Sequence, residues 1–216
     1  VDIDVTANSS DTDEGDITFT STINDTDGTS PFSLTLDGDG GAIAVQGIIG
    51  GTNKVGAISI NNTGGDGSVT LAGIGNSSAN SGAGAAGNEG LVNIGNTASA
   101  SVNFGGGFYM TDGATVIKAK SGGGGENINF SAATTFKTVN DNLTFNNSAI
   151  DLANGANLTV NTGSGNIVLT DIHGASAETV SITSTGTVGV QEIGNGAEIA
   201  TVGIAGSTIT LNDNIT

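Results

Sequence analysis

Leu158-Thr159-Val160, Ile167-Val168-Leu169, Val180-Ser181-Ile182, Val188-Gly189-Val190, Val202-Gly203-Ile204 and Ile209-Thr210-Leu211 follow one another in the C-terminal part of the chain. Each triplet places two apolar residues around a middle one. This period of two marks a short β-strand with one face buried. Every second triplet recurs at nearly constant spacing. Leu158 to Val180 and Val180 to Val202 are 22 residues, and Ile167 to Val188 and Val188 to Ile209 are 21. A repeat of twenty-odd residues is the signature of a solenoid. Its unit here reads as strand, turn, strand, turn, and a return to the start one level up.

The same text extends toward the N-terminus. Leu34-Thr35-Leu36 recurs as Ile58-Ser59-Ile60 after 24 residues, and Ile43-Ala44-Val45 as Val69-Thr70-Leu71 after 26. Val92 to Val116 is 24 and Val102 to Ile128 is 26. Turns carry a loose Gly-x-Gly signal, as in Gly65-Asp66-Gly67 and Gly163-Ser164-Gly165, and Gly tolerates the positive φ that sharp corners require. No segment has a capped helical stripe; the nearest, Ser131 to Val139, is short and β-branched. The expected fold is all-β: a single right-handed parallel β-solenoid, or β-helix, of about nine coils of roughly 21–26 residues. The handedness follows from the rule for parallel crossovers. One domain is expected over residues 1–216, with a flexible, low-complexity loop at 76–90.

Composition fits that architecture. Apolar residues are 36% of the chain and charged residues 12%, with one Pro, so the chain has neither the charge nor the Pro content of a disordered one. Seven Phe, one Tyr and no Trp leave little for a bulky globular core, whereas stacked Val, Ile, Leu and Ala need no such anchors. Thr, Asn and Ser suit ladders in which each residue sits on its own kind. There is no Cys, which removes disulfides and thiolate metal sites together. The formal net charge is −17, with four Lys and no Arg. Nucleic-acid binding is excluded, because phosphate contacts need cations. No apolar run is long enough to span a bilayer as a helix, and no signal peptide opens the text at Val1-Asp2-Ile3-Asp4.

Residues able to carry chemistry are few. His173 is the sole His, and Asp171 two residues earlier lies on the same side of a strand, the arrangement of an acid–base pair. A polar surface residue beside a turn is the favoured reading, since little else converges there. Polysaccharide-cleaving sites need clustered carboxylates or basic residues, and Lys54, Lys118, Lys120 and Lys137 are scattered. The expectation is therefore no catalytic residue and no cofactor. Asp11, Asp13, Glu14 and Asp16, then Asp25 and Asp27, then Asp37 and Asp39 crowd the N-terminal part. Oxygen ligands of this kind suit calcium, which makes Asp11, Asp13, Glu14, Asp16, Asp37 and Asp39 the metal candidates. They match neither the EF-hand loop nor the Gly-Gly-x-Gly-x-Asp nonapeptide, and a solvated acidic face is the plainer reading. Phe104 to Met110 gathers two Phe with the only Tyr and the only Met, either as an exposed binding spot or as core filling. An ice-binding face would need Thr-x-Thr at a constant period, and none is evident.

Asp16-Ile17-Thr18-Phe19-Thr20-Ser21-Thr22-Ile23, Ser33-Leu34-Thr35-Leu36 and Gly165-Asn166-Ile167-Val168-Leu169-Thr170 resemble the text of bacterial filamentous-haemagglutinin-like proteins and autotransporter passengers. The likeness runs along the whole chain. It implies a right-handed parallel β-helix, an extracellular or cell-surface location, and an adhesive or structural role toward a host surface or matrix ligand. It transfers no specific binding residue. A second expectation is a subunit of an extracellular fibre or sheath, self-associating through strand edges at its ends. A third is a polysaccharide-active β-helix enzyme.

Overall fold

The computed structural model describes residues 2–4, 15–26, 30–76, 86–121, 127–194 and 198–216. Every strand in them is short, and no helix is present among them. The chain climbs as a three-sided coil. It enters through β1 (Asp2–Asp4) and β2 (Ile17–Phe19), then turns through a single bridging residue, Ile23. The next two coils repeat this plan: β3 (Leu34–Asp37), β4 (Ile43–Val45) and Ile49, then β5 (Ile58–Ile60), β6 (Val69–Leu71) and Ile74. From there the third side lengthens into true strands. β7 (Val92–Ile94), β8 (Val102–Phe104) and β9 (Gly107–Thr111) precede β10 (Thr115–Lys118), β11 (Ile128–Phe130) and β12 (Thr134–Thr138). β13 (Leu143–Asn146), β14 (Ile150–Leu152) and β15 (Leu158–Asn161) lie beneath β16 (Ile167–Leu169), β17 (Ile172–His173) and β18 (Thr179–Thr183). β19 (Thr187–Val190), the bridge Ile193 and β20 (Thr201–Ala205) lead to β21 (Thr208–Leu211) and Ile215.

Three parallel sheets result, with nine strands on the first face, seven on the second and five on the third. The first runs β1-β3-β5-β7-β10-β13-β16-β19-β21, so the chain closes seven turns from β3 to β21 with β1 as one further strand. Nine passes at about 4.8 Å make a stack about 38 Å long, close to the nine coils expected. The all-β parallel solenoid is therefore as read from the triplets. Its repeat unit is not: a turn holds three sides rather than two. The third side was hidden because three of its first rungs are single residues, Ile23, Ile49 and Ile74.

Register also differs in one place. Val92 pairs with Thr115, not with Val116, and Thr115 in turn pairs with Leu143. Thr115 and Ile117 therefore point inward and are buried, while Val116 is half-exposed. A one-residue slip reverses every side chain of a strand, and the buried Thr115 hydroxyl is satisfied by Thr111 at 2.8 Å. The coil length is less regular than 21–26 residues, since Ile58 to Val92 spans 34 and Thr115 to Leu143 spans 28. Ser131 to Val139, the nearest approach to a helix in the sequence, contains β12. Of the 76–90 loop, residues 77–85 lie outside the described residues. At 86–90 the chain is back in the stack, with Asn88 bridging Val55 and Ala86 packed on Met110.

The interior is one continuous column of aliphatic side chains from Ile17 to Ile199, packed in rungs. Midway along it the aliphatics give way to rings. Phe104 stacks on Phe130 at 5.0 Å and Tyr109 on Phe136 at 4.8 Å, and Phe136 meets Phe145 edge-on at 5.3 Å. Such pairs contribute about 0.5–1.5 kcal/mol each beyond the area they bury.

Candidate functional site

At the corners, Asn and Asp side chains act as staples between coils. Asn142 Oδ1 accepts from Asn166 N at 2.8 Å, Asn166 Oδ1 accepts from Thr187 N at 2.9 Å, and Asn157 Oδ1 accepts from Thr179 N at 2.7 Å. Each closes a backbone donor that the strand ladder cannot reach, because the chain has already turned. The acidic residues do the same work where they are described. Asp16 Oδ1 accepts from Ala42 N at 2.8 Å, and Asp37 accepts from Asp39 N at 3.1 Å and from the Thr63 hydroxyl. Asp39 itself sits in a left-handed corner at φ 54°. Asp11, Asp13, Glu14 and Asp27 lie outside the described residues. Among the described residues no group of three or more His, Asp or Glu is arranged to hold a metal ion.

His173 has a carboxylate partner, Asp151 rather than Asp171. Its Nδ1 lies 2.9 Å from Oδ1 of Asp151, one coil below on the second face. Asp171 is the wrong neighbour for a geometric reason. Residues i and i+2 on a parallel strand stand about 6.6 Å apart, whereas register partners on adjacent strands are about 4.8 Å apart. Asp151 also accepts from the Asn127 side chain, and Asn129 Nδ2 donates to Asn103 Oδ1 at 2.9 Å. The second face thus carries an outward polar ladder, Asn103, Asn129, Asp151 and His173, in register. With Nδ1–H donating to Asp151, Nε2 is left as an acceptor, the arrangement of an oriented base. Among the described residues no hydroxyl is hydrogen-bonded to that ring, and the pair is about one-third exposed on the outward side of the second sheet. Asp171 keeps one buried carboxylate oxygen without a partner.

The Phe104 to Met110 stretch is core. Phe104, Tyr109 and Met110 are buried, and the Tyr109 hydroxyl donates to Leu71 O at 2.7 Å. Burial pushes the phenol well above its ordinary value of 10. Phe108 and Met110 turn outward on β9: Met110 is covered by Ala86 outside the main core, and Phe108 is half-buried with Lys137 Nζ 5.7 Å from its ring centre.

The most unusual carboxylate was not singled out by the sequence. Glu178, fully buried, closes the corner between β17 and β18. One oxygen accepts from Ala175, Ser176 and Ala177 N at 2.7, 2.8 and 3.2 Å. The other accepts from Gly155 N at 2.9 Å, across the coil. Burial works against ionisation, but the four backbone donors outweigh it and hold the carboxyl down to about 2. The available signal was a lone acid behind Gly174-Ala175-Ser176-Ala177, small residues that let the backbone curl around an anion.

Comparison with protein-family models, with curated proteins and with solved structures finds no match to this chain.

Proposed function

We propose that the chain is a non-enzymatic, extracellular, structural or adhesive rod in which the solenoid itself is the functional element. The observation that carries this reading is how the polar side chains are used. Asn at the corners and the ladder on the second face use their hydrogen bonds to join one coil to the next, and Glu178 ties its own corner to Gly155 in the coil below. Among the described residues no group of three or more His, Asp or Glu is arranged to hold a metal ion. His173 and Asp151 form a surface pair, ionic only when the imidazole is protonated, and among the described residues no hydroxyl is hydrogen-bonded to the ring. The test is mechanical and optical. Electron micrographs of the purified chain should show stiff rods of uniform width, and incubation with neutral and acidic polysaccharides should shorten none of them. Chain cleavage lost in an Asp151→Ala or His173→Ala variant would refute the reading and favour the enzyme.

A second reading is end-to-end assembly into a fibre through the coil of β20 and β21. There Ile209, Leu211 and Ile215 are 44%, 41% and 46% exposed, beside the open edges of β20 and β21. A further rung placed on them would complete their burial, whether that rung comes from the same chain or from a second copy. Filaments of one-rod width that lengthen with protein concentration would support the second copy.

A further inference from the structure

We infer that Asn154-Gly155 is a latent modification site guarded by the Glu178 carboxylate, an amide that converts to aspartate or isoaspartate only when its corner opens. The chain has two Asn-Gly pairs, this one and Asn195-Gly196, and residues 195 and 196 lie outside the described residues. Such a pair reacts with itself, because Gly has no Cβ to hinder approach to its nitrogen. The Gly nitrogen gives up its proton to solvent base and bonds to the side-chain amide carbon. The bond from that carbon to the NH₂ group breaks, and ammonia leaves. Water then opens the five-membered imide at either carbonyl. One opening gives Asp, and the other gives isoaspartate, whose backbone is longer by a carbon. Water is the only co-reactant.

Asn154 is accessible to this chemistry. Both it and Gly155 are exposed, and among the described residues the Asn154 side-chain amide makes no hydrogen bond. The corner withholds the geometry instead. Ala156 N donates to Ala153 O at 2.8 Å, Gly155 has a positive φ of 77° and Asn154 does not, which together define a type II turn. The first central residue of such a turn has ψ near +120°, which sets its side chain and the next nitrogen about a third of a turn apart around the Cα–C bond. Ring closure needs the two eclipsed.

The nucleophile is also held. Gly155 N donates to one Glu178 oxygen at 2.9 Å, and the other oxygen is fixed by Ala175, Ser176 and Ala177 N. The acceptor therefore cannot follow Gly155 if the turn rotates toward ring closure. A carboxyl held down to about 2 is too weak a base to take a peptide proton, and its charge opposes the amide anion that the attack requires. Conversion then runs through the opened corner, at a rate set by how often the corner opens. An isoaspartate left behind lengthens the turn, so it marks a past opening permanently.

The test incubates the full chain folded at neutral pH and, in parallel, unfolded in guanidinium chloride. Peptide mapping reads conversion of Asn154 by mass and by the isoaspartate product. The folded chain should convert more slowly by about tenfold or more, on the scale of one charge-assisted hydrogen bond. Glu178→Gln presents its only acceptor oxygen to the three corner donors and its NH₂ group to Gly155 N–H, so folded-state conversion should rise by about tenfold. Tyr109→Phe weakens the fold in other coils and should leave the rate unchanged, which separates a guard from general loosening. Equal rates in the folded and unfolded wild type overturn the inference. So does a folded Glu178→Gln chain with the wild-type rate, or a Tyr109→Phe chain that converts as fast as Glu178→Gln. Should Glu178→Gln not fold, hydrogen exchange of Gly155 N–H, whose acceptor is Glu178, decides the matter in the wild type. Protection is expected there, and exchange at the unfolded rate overturns the inference.

Discussion

Replacing Glu178 should expose how much a single buried anion contributes to the upper coils. Its carboxylate accepts four backbone N–H groups, three from the corner 175–177 and one from Gly155 in the coil below. A hydrogen bond to a charged group contributes about 1.5–3 kcal/mol net, and a buried donor left unpaired costs about 1–3 kcal/mol. Residues 155 and 175–177 are exposed, so their donors rehydrate once the carboxylate is gone. The lower part of the range applies, about 2 kcal/mol for Glu178→Gln, whose amide turns an NH₂ group toward donors. The effect depends on pH with a definite sign. The folded-state pKa of about 2 lies below the ordinary 4.5, so the ionised group adds stability that is fully present above about 4.5 and is lost as pH falls toward about 2. Urea unfolding of both proteins at a series of pH values between 7 and 2 measures the gap directly. The midpoints should differ at pH 7 and converge as the pH approaches 2. Equal midpoints at pH 7, or a gap that persists unchanged to pH 2, would show that the corner does not need the anion.

Tyr109 is the only Tyr, so the ultraviolet phenolate signal belongs to it alone. In the folded protein no phenolate should form near the ordinary value of 10, and the signal should appear only with unfolding; titration near 10 in the native state would contradict its burial. Tyr109→Phe leaves Leu71 O short of a donor and should cost about 1–2 kcal/mol by urea unfolding. Gly65→Ala should destabilise by more than about 1 kcal/mol, because φ is +55° and the new Cβ would sit 1.1 Å from Asp39 O one coil below, while Gly203→Ala should be near neutral in the same assay. Phe104→Ala removes a ring stacked on Phe130 and should cost about 3–5 kcal/mol, read as a loss of the cooperative melt in the central coils.

The strands of the first and second faces were legible because their inward residues alternate in the open, as in Leu34-Thr35-Leu36 and Val69-Thr70-Leu71. The third face was legible only where it is long, at Leu158, Val180 and Val202. Elsewhere its signal is a lone inward Ile, at Ile23, Ile49 and Ile74, the last two followed by a Gly at positive φ, and the second face thins in the same way to Ile193-Gly194. One buried residue has no period, so hydrophobic alternation cannot find it. Thr115 was misread for a related reason: a buried Thr paired by Thr111 looks polar in the text and apolar in its position. The His173 partner was missed because sequence distance is a poor guide in a solenoid. The coil brings residues 22 apart closer than residues two apart.

That geometry also explains why a chain poor in large side chains, with no Cys, can hold a long fold. Each coil buries its inward residues against the coils on both sides, so the interior is never wider than the side chains of three strands can fill. Stability in such a stack accumulates rung by rung from nearest-neighbour terms. Inserting residues at a corner changes the outline but not the ladder, as the 34-residue step from Ile58 to Val92 shows. The corners are therefore free to vary while the register is held, and Asn, Asp, Gly and Thr are favoured there because they either turn the backbone or tie it to the next level. A weak rung is felt by its two neighbours first. Damage at Glu178 should accordingly loosen the coils of β15, β18 and β20 while the aromatic column at Phe104 and Phe136 keeps its hydrogen-exchange protection. Uniform loss of protection along the whole rod in Glu178→Gln would mean that the coils unfold as one body, and that nearest-neighbour additivity does not describe this solenoid.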